Sequence, residues 1–156
     1  MPEEYLRKVD YSDMELLYEW ANEPETRTNS FNSALISFQD HKIWFEEKIN
    51  SPQVLFFIYH YESKDIGQLR LDIKHDAAII TYSVDFLFRG KGHGRRMLTL
   101  AERKVQNEYP EIKYFQAQVK YQNNASLSVF RRLNYTEHRE TEFIGFVKLL
   151  PSVSGK

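Results

Sequence analysis

The stretch F-R-G-K-G-H-G-R-R-M-L, residues Phe88–Leu98, decides the fold because Gly90, Gly92 and Gly94 stand at every second position. Glycine permits positive φ angles and lets the backbone approach a ligand closely. A short apolar strand precedes the run and a helical pattern follows it, so the positive end of a helix is directed at the same place. The flanking side chains are basic: Arg89, Lys91, Arg95 and Arg96. The stretch therefore predicts a cradle for an anionic group, above all a pyrophosphate.

The composition is that of a globular protein and excludes several functions. We expect one domain over residues 1–150, with a loose tail at 151–156, because 156 residues suffice for a sizeable core. A hydrophobic fraction of 42% argues against disorder, and a net charge of −1 gives no reason to expect nucleic acid. The longest apolar run, Val54–Tyr59, is too short to span a membrane. The chain has no cysteine and its N-terminus does not resemble a signal peptide, so we expect a cytoplasmic protein.

Hydrophobic periodicity predicts alternating helices and strands with short connections. The seven predicted strands are Tyr5–Val9, Val54–Tyr59, Ile66–Ile73, Ala78–Val84, Tyr114–Val119, Tyr135–His138 and Phe143–Leu150. Four helices are predicted: one opened by a capping box at Ser12–Glu15, one over Ser37–Ile49, one from the glycine run to Asn107, and Asn124–Leu133. In the second helix Phe38, Phe45 and Ile49 form the predicted apolar stripe. The polar segment Asn22–Ser33, which contains Pro24, is predicted to be a loop. The fold class is thus α/β (α+β), a mixed and mostly antiparallel seven-stranded sheet flanked by about four helices.

The glycine spacing distinguishes this stretch from two known phosphate-binding motifs and matches a third. A dinucleotide-binding turn needs G-x-G-x-x-G, and no third glycine follows Gly94 at that spacing. The loop of nucleotide triphosphatases, G-x-x-x-x-G-K-[ST], is absent. The stretch instead resembles the acetyl-CoA signature of the GNAT acetyltransferases, [RQ]-x-x-G-x-[GA], matched by Arg89, Gly92 and Gly94. The predicted order of elements is similar to the GNAT fold over nearly the whole chain.

A second segment resembles another GNAT signature, N-x-x-[AS]-x-x-x-[YF]-x-x-x-G-[FY]. The matching positions are Asn123, Ser126, Phe130, Asn134 and Tyr135. The residues by themselves indicate Asn123 or Asn124 as a helix N-cap and Phe130 as a core residue, and both interpretations hold together. Asn134 replaces the usual glycine, which is tolerable because asparagine accepts left-handed backbone angles. Phe130 replaces a tyrosine that in many members protonates the leaving thiolate, but a thiolate with a pKa of ~8–9 needs little help near neutral pH.

The resemblance implies acetyl-CoA as the cosubstrate, attacked directly by a substrate amine. The strand segment Tyr82–Val84 corresponds to the family's splayed strand, whose backbone binds pantetheine, and the N–H near Val84 is the implied oxyanion donor. The residues implied to contact the cofactor are Tyr82, Ser83, Val84, Arg89, Gly90, Lys91, Gly92, His93, Gly94, Arg95, Asn123, Ser126 and Phe130.

The sequence assigns no general base. Asp72, His75, Asp85 and Glu102 are the candidates, and none has a compelling partner in the sequence. A solvated surface charge is the ordinary interpretation of each. The catalytic acid and base stay unassigned, and a CoA-binding module without turnover stays open beside the enzyme.

Polar residues on the third strand and in the segment after the first helix point to an acceptor site. The candidate substrate-binding residues are Arg27, Asn32, His41, Gln68 and Arg70. Gln68 and Arg70 alternate with leucines, so they share a face of the sheet that is either solvated or part of a ligand cleft. The two arginines suit a phosphate or carboxylate. As ordinary alternatives, Arg27 is loop surface and His41 is a helix-face residue.

One GNAT branch in particular has a similar pattern around Gly67–Arg70 and in the loop and helix that cover the acceptor site in this family, here Asn22–Ser33 and Ser37–Ile49. That branch acts on nucleotide-linked 4-amino sugars in pseudaminic-acid-type surface-glycan synthesis. The chain also resembles, more loosely, the enzymes that acetylate ribosomal-protein N-termini. The expected partner is a small-molecule amine, without nucleic acid or membrane, and a homodimer stays open. No metal is expected because the five histidines lack a paired ligand spacing such as H-x-x-x-H. His93 is instead expected to flank the phosphates.

Overall fold

The computed structural model describes residues 1–152, and its strands follow the predicted apolar segments. The strands are β1 (Glu4–Lys8), β2 (Val54–Tyr61), β3 (Lys64–Lys74), β4 (Ala77–Val84), β5 (Tyr114–Lys120), β6 (Thr136–Arg139) and β7 (Phe143–Leu149). They form one sheet in the order β1-β2-β3-β4-β5-β7-β6. Every neighbouring pair is antiparallel except β4 and β5, which are parallel. The predicted mixed, mostly antiparallel seven-stranded sheet is confirmed.

Five α-helices accompany the sheet in the described residues. They are α1 (Met14–Ala21), α2 (Pro24–Asn29), α3 (Phe38–Asn50), α4 (His93–Glu108) and α5 (Asn124–Arg132), with short 3-10 turns at Tyr11–Asp13 and Phe86–Phe88. The predicted cap of α3 is present, since the Ser37 hydroxyl accepts a hydrogen bond from the Asp40 N–H at 3.1 Å. Asn123 caps α5 in the same way, through the N–H of Ser126. Capping chemistry thus places two of the helices that carry predicted site residues.

Helix α2 lies where the sequence predicts a loop. Pro24 is its first residue, a position that proline suits because its missing N–H has no helical partner there. The Glu23 side chain accepts hydrogen bonds from the N–H groups of Glu25 and Thr26 and so caps the helix. The loop prediction for residues 22–33 is therefore wrong over six of them, and the helix count is five instead of about four.

Two further local predictions are wrong. The N-terminal cap before α1 is Asp10, paired reciprocally with Asp13, and the predicted cap Ser12 lies inside the short turn. Phe38 is 42% exposed and does not belong to the predicted stripe of α3, whereas Phe45 is buried and Ile49 packs against the core as predicted, and His41 is the buried residue that the stripe omitted. In both cases the residue that takes the role lies less than one helical turn from the predicted one.

The sheet separates two apolar layers. One layer contains Leu69 and Leu71 of β3 with Met97 and Leu98 of α4, all fully buried, and continues to Phe130 of α5. The other layer has different members: Leu17, Trp20, Phe45, Phe56 and Ile58. Helices α4 and α5 therefore cover one face of the sheet, and α1 and α3 cover the other. Burial of each large side chain stabilises the fold by roughly 1.5–3 kcal/mol.

Strands β4 and β5 diverge after a short parallel ladder. Their pairing covers only Ala77–Ile79 against Tyr114–Gln116, although β4 continues to Val84. On the β3 side, the Asp85 N–H donates to the Ile66 carbonyl at 2.8 Å, which fixes the alternation of that antiparallel ladder. By this alternation the backbone groups of Tyr82 and Val84 point away from β3, into the gap between β4 and β5.

The end of the described chain is tied to α4. The Pro151 carbonyl accepts a hydrogen bond from the Gln106 side chain at 2.9 Å. Of the tail predicted at 151–156, residues 153–156 lie outside the described residues. No helix within residues 1–152 combines the length and apolar character that a membrane crossing requires.

Candidate active site

A cavity of about 850 Å³ opens between α1–α3, the gap in the sheet and the start of α4. Its wall includes all five predicted acceptor residues: Arg27, Asn32, His41, Gln68 and Arg70. It also includes most of the predicted cofactor residues: Tyr82, Ser83, Val84, Arg89, Gly90, Gly92, His93, Gly94, Asn123, Ser126 and Phe130. The two predicted residues outside the wall are Lys91 and Arg95, which are exposed. Segments far apart in the chain thus meet at one site.

The glycine run forms a cradle with free hydrogen-bond donors. Gly90 and Gly92 have φ angles of +78° and +84°, and a Cβ built on either would meet open space. In the part of the chain that the structure describes, no backbone N–H from Arg89 to Arg95 donates to a protein acceptor. The first turn of α4 contributes three of these groups and the positive end of its dipole. The geometry fits a pyrophosphate, which would accept those hydrogen bonds.

Arg89 ties the cradle to α2. Its Nε donates to the Val84 carbonyl at 2.9 Å, and its guanidinium meets the carboxylate of Glu23 at 2.8 Å and the hydroxyl of Thr26 at 3.1 Å. The side chain therefore fixes α2 over one side of the cavity and leaves few donors for a ligand. Glu23 was not among the predicted site residues, although an acidic residue directly before a proline is a recognisable helix start.

The ring of His93 was predicted to flank the phosphates, but in the structure it does not lie beside the cradle. The side chain is 6% exposed and packs against Tyr59 and Tyr61, with ring centroids 5.9 and 4.6 Å away. Its Nδ1 is buried without a hydrogen-bond partner. Burial, with the nearby charges of Arg96 and Lys91, lowers the pKa of His93. The backbone N–H of His93, and not its ring, is therefore the group that can contact a phosphate.

Tyr82, Ser126 and Phe130 form the wall between β4 and α5. The Tyr82 hydroxyl lies 2.8 Å from the Ser126 hydroxyl, and its ring meets Phe130 edge-on at 6.0 Å. Burial raises the pKa of Tyr82 to about 12, so this hydroxyl stays neutral. Gly94 belongs to the same contact, because a Cβ there would lie 3.2 Å from the Tyr82 ring. Phe130 supplies no hydroxyl. The nearby hydroxyls in the cavity wall belong to Tyr82 and Ser126, whereas Tyr135, whose ring lies 4.9 Å from that of Phe130, donates its hydroxyl to Glu102 outside the wall.

Gln68 and Arg70, predicted to bind the acceptor, line the cavity on the other face of the sheet. Gln68 donates from Nε2 to the Ser83 hydroxyl at 3.1 Å, and its Oε1 is buried without a partner. Arg70 lies over the Trp44 ring at 5.0 Å and donates from Nε to Asp72 at 2.9 Å. Both side chains line the cavity, so this part of the sheet face borders a cleft and not bulk solvent.

Arg27 and Asn32 stabilise the segment between α2 and α3. Four N–H groups of Arg27 donate to the carbonyls of Ala21, Asn32 and Ala34 and to the Ser30 hydroxyl, at 2.6 to 3.2 Å. The Asn32 side chain accepts from the Ala34 N–H. Although both residues line the cavity, the hydrogen bonds of Arg27 shape its wall and leave little for a ligand.

His41 is buried on α3 with one ring nitrogen engaged. Nε2 lies 3.0 Å from the Met14 carbonyl, so this nitrogen carries the proton. Nδ1 has no hydrogen-bond partner in residues 1–152, and the side chain belongs to the cavity wall. Burial lowers the pKa of His41, opposed in part by the bond to Met14. The ring therefore presents an unprotonated nitrogen near neutral pH.

The four candidate bases from the sequence lie outside the cavity wall. Asp72 pairs with Arg70 and Lys48 at 2.9 Å each, and although burial opposes the effect, these charges lower its pKa. Asp85 accepts from the Trp20 indole at 2.8 Å. Glu102 accepts from Tyr135 and Lys148 on the α4 side. His75 lies in the turn between β3 and β4. The described residues contain no cluster of three or more His, Cys, Asp or Glu side chains suited to a metal.

The comparisons with known proteins agree with this geometry. Residues 14–135 match the model of the acetyltransferase (GNAT) family. The chain is similar in structure to a spermidine N-acetyltransferase from Vibrio cholerae in complex with CoA and spermine, with a TM-score of 0.84, 15% identity and coverage of 94% of this chain and 95% of that one. It is also similar to a ribosomal L7/L12 α-N-protein acetyltransferase in complex with CoA (TM-score 0.79, 17% identity, 93% of each chain). An aminoglycoside acetyltransferase in complex with CoA gives a TM-score of 0.81 at 15% identity over 94% and 95% of the two chains. No curated protein matches the sequence.

The chain belongs to the GNAT acetyltransferase family. It is an N-acetyltransferase, and its cosubstrate is acetyl-CoA. The predicted family, fold and cosubstrate are confirmed, while the particular acceptor needs its own argument.

Proposed function

We propose that the protein transfers an acetyl group from acetyl-CoA to the primary amine of a nucleotide-linked amino sugar. The observation that carries the proposal is the position of Arg70. Its guanidinium lies over Trp44 and is held by Asp72 and Thr81, yet one of its terminal nitrogens has no partner in the described residues. A fixed cation beside an aromatic ring suits a phosphate next to a planar base.

The charge of the cavity wall favours this acceptor over polycations. Three arginines line the cavity, Arg27, Arg70 and Arg89, against two carboxylates, Glu25 and Asp40. Glu25 is paired with Arg89 at 3.4 Å, and Arg89 and Arg70 are also paired with Glu23 at 2.8 Å and Asp72 at 2.9 Å, two carboxylates that lie outside the cavity wall. Spermidine and aminoglycosides carry several positive charges, and a site for them needs an excess of carboxylates. The acceptors of the spermidine and aminoglycoside enzymes therefore suit this wall less well than an anionic acceptor.

The residues of the cavity can support direct transfer. Acetyl-CoA supplies the acetyl thioester, and the backbone N–H of Val84 points into the gap where a developing oxyanion needs a donor. In the overall reaction an N–C bond forms and the C–S bond breaks. Our candidate for the group that takes the proton lost by the nitrogen is His41, because it lines the cavity and its Nδ1 has no hydrogen-bond partner in the described residues, and the thiolate takes a proton from water. A thiolate leaves readily near neutral pH, so the absence of a hydroxyl at Phe130 does not block the reaction.

A peptide N-terminus is the second candidate acceptor. Phe31 and Leu35 line the cavity mouth and are 55% and 79% exposed, which offers an apolar surface to a peptide. The similar ribosomal-protein acetyltransferase acts on such a substrate. A peptide, however, gives Arg70 no phosphate to bind.

A thiol-release assay with a panel of amines tests the proposal. The panel contains a nucleotide-linked 4-amino sugar, the same sugar without the nucleotide, an N-terminal peptide, spermidine and an aminoglycoside. We expect the highest kcat/KM with the nucleotide-linked sugar and a loss of at least about tenfold without the nucleotide, the order of one charge-assisted contact. A higher kcat/KM with the peptide or a polyamine refutes the proposed acceptor.

A further inference from the structure

Gln118 is an exposed polar side chain of the cavity wall that no protein group engages. It lies on β5 between Ala117 and Val119, which are buried in the layer of α4 and α5, so its side chain points to the opposite face of the sheet. Lys120, two residues further along, donates to the Thr28 carbonyl of α2 at 3.1 Å, so α2 lies over this face of β5. The Gln118 side chain borders the cavity and makes no hydrogen bond to residues 1–152. Its amide is therefore open to a ligand.

Gln118 stands where β4 and β5 separate. The ladder between the two strands ends at the pair Ile79–Gln116, and Gln118 is the next residue of β5 on the same face. The other edge of the gap is β4, where the backbone groups of Tyr82 and Val84 point toward the expected cofactor. A cofactor that is held in the cradle and extends along β4 brings its thioester into this gap. Gln118 borders the gap on the side of the acceptor.

The attacking nitrogen needs a hydrogen-bond acceptor at this place. A neutral primary amine has one lone pair and two N–H bonds, and the lone pair must be directed at the thioester carbon. One hydrogen leaves to a base, and the other stays on a nitrogen that gains positive charge as the N–C bond forms. Arg70 offers only donors. The hydroxyls of Thr81 and Ser83 already accept hydrogen bonds from neighbouring side chains, whereas the carbonyl oxygen of Gln118 is free.

We propose that Gln118 Oε1 accepts a hydrogen bond from the attacking amine and so directs its lone pair at the thioester. Gln118 is then an acceptor-binding residue on the β5 side of the gap, whereas Arg70 lies on the β3 side. Because the nitrogen becomes cationic only as it attacks, this hydrogen bond is stronger in the transition state than in the bound ground state. Its loss therefore lowers kcat more than it raises KM. The inference rests on the proposed transfer to a primary amine, whichever amine of the panel that is.

Three variants test the inference: Gln118→Met, Gln118→Glu and Gln116→Met. Methionine matches glutamine in length and lacks the oxygen, whereas glutamate keeps an oxygen that accepts hydrogen bonds. Gln116 is a matched control because it is an exposed glutamine on the same face of the same strand and lies outside the cavity wall. The acceptor is the amine of the panel that the wild type acetylates fastest. The measurements are kcat, the KM of that amine, and the Kd of CoA by calorimetry.

We expect Gln118→Met to lower kcat about tenfold, the order of one hydrogen bond to a charged group, with a change in KM of less than about threefold. The Kd of CoA stays within about twofold, which also shows that the variant folds. Gln118→Glu recovers most of the lost kcat, and Gln116→Met behaves like the wild type. A merely structural role of the side chain gives no advantage to glutamate over methionine.

Three results overturn the inference alone: a Gln118→Met variant with a kcat within about twofold of the wild type, a loss that lies in KM instead of kcat, and a Gln118→Glu variant no better than Gln118→Met. A wild type that prefers another amine to the nucleotide-linked sugar overturns the proposed acceptor only, and the variants are then compared on that amine. A wild type that acetylates no amine of the panel overturns the proposed function, and this inference with it.

Discussion

Replacing Gly92 by valine tests the cradle because this residue has two separable properties. Its φ of +84° is unfavourable for most side chains, valine included, and a Cβ there enters the open space expected for the pyrophosphate. Strain of this kind costs about 1–2 kcal/mol, which corresponds to a decrease in Tm of about 2–8 °C for a chain of this length. The variant should still fold.

The loss of CoA binding should be much larger than the strain alone explains. Displacing the pyrophosphate breaks at least two hydrogen bonds to a charged group, each worth about 1.5–3 kcal/mol. The expected increase in the Kd of CoA is therefore at least about 100-fold. Calorimetric titration measures the Kd, and thermal unfolding measures the strain in the same samples.

Two further variants separate strain from steric exclusion. Gly92→Asn relieves strain, since asparagine accepts left-handed angles, but still fills the space, so we expect weak CoA binding with nearly wild-type stability. Asn134→Val imposes comparable strain at φ +67° at the turn after α5, and there the Kd of CoA should not change. A Gly92→Val protein that binds CoA within about threefold of the wild type refutes the cradle.

Three other substitutions address the acceptor wall and the buried histidines. Arg70→Ala should raise the KM of the acceptor about tenfold or more and leave the Kd of CoA unchanged; steady-state kinetics with calorimetry decide, and the reverse pattern moves Arg70 out of the acceptor site. In the wild type the rate should rise with pH as the His41 ring loses its proton, at a pH below the ordinary histidine pKa of about 6.5. His41→Gln should lower kcat and remove this rise. A pH–rate profile unchanged in shape excludes His41 as the base. Burial lowers the pKa of His93 in the folded protein, so at mildly acidic pH the unfolded chain binds a proton at this residue more readily than the folded protein does. The stability of the fold therefore decreases as the pH drops below about 6.5. His93→Leu should therefore raise Tm, and the gain should grow between about pH 7.5 and pH 5.5; a gain independent of pH contradicts this.

Local chemistry in the sequence was sufficient to predict the main elements. Alternation along β3 placed Gln68 and Arg70 on one face, and the structure confirms that Leu69 and Leu71 are buried on the other. Asn134, expected to accept a left-handed angle, has φ +67°. These predictions succeeded because each depends on a residue and its near neighbours in the chain.

The partners of long side chains could not be predicted in the same way. Arg27 and Arg89 are both basic residues in suitable segments, but their hydrogen bonds go to protein groups whose positions depend on α2. His93 belongs to the glycine run, yet its ring faces the core because a residue in the first turn of α4 must pack against β2. The unpaired Oε1 of Gln68 follows from its cross-strand neighbours and from no feature of the sequence.

A crystal structure with CoA bound tests the central claim most directly. We expect the pyrophosphate oxygens within hydrogen-bond distance of backbone N–H groups between Gly90 and Arg95, with the pantetheine in the gap between β4 and β5. The sulfur should then lie in the cavity between Val84 and Phe130, leaving the space before Gln68 and Arg70 for the acceptor. A pyrophosphate bound away from the glycine run, or a pantetheine that fills the space before Arg70, contradicts the assignment of the two halves of the cavity.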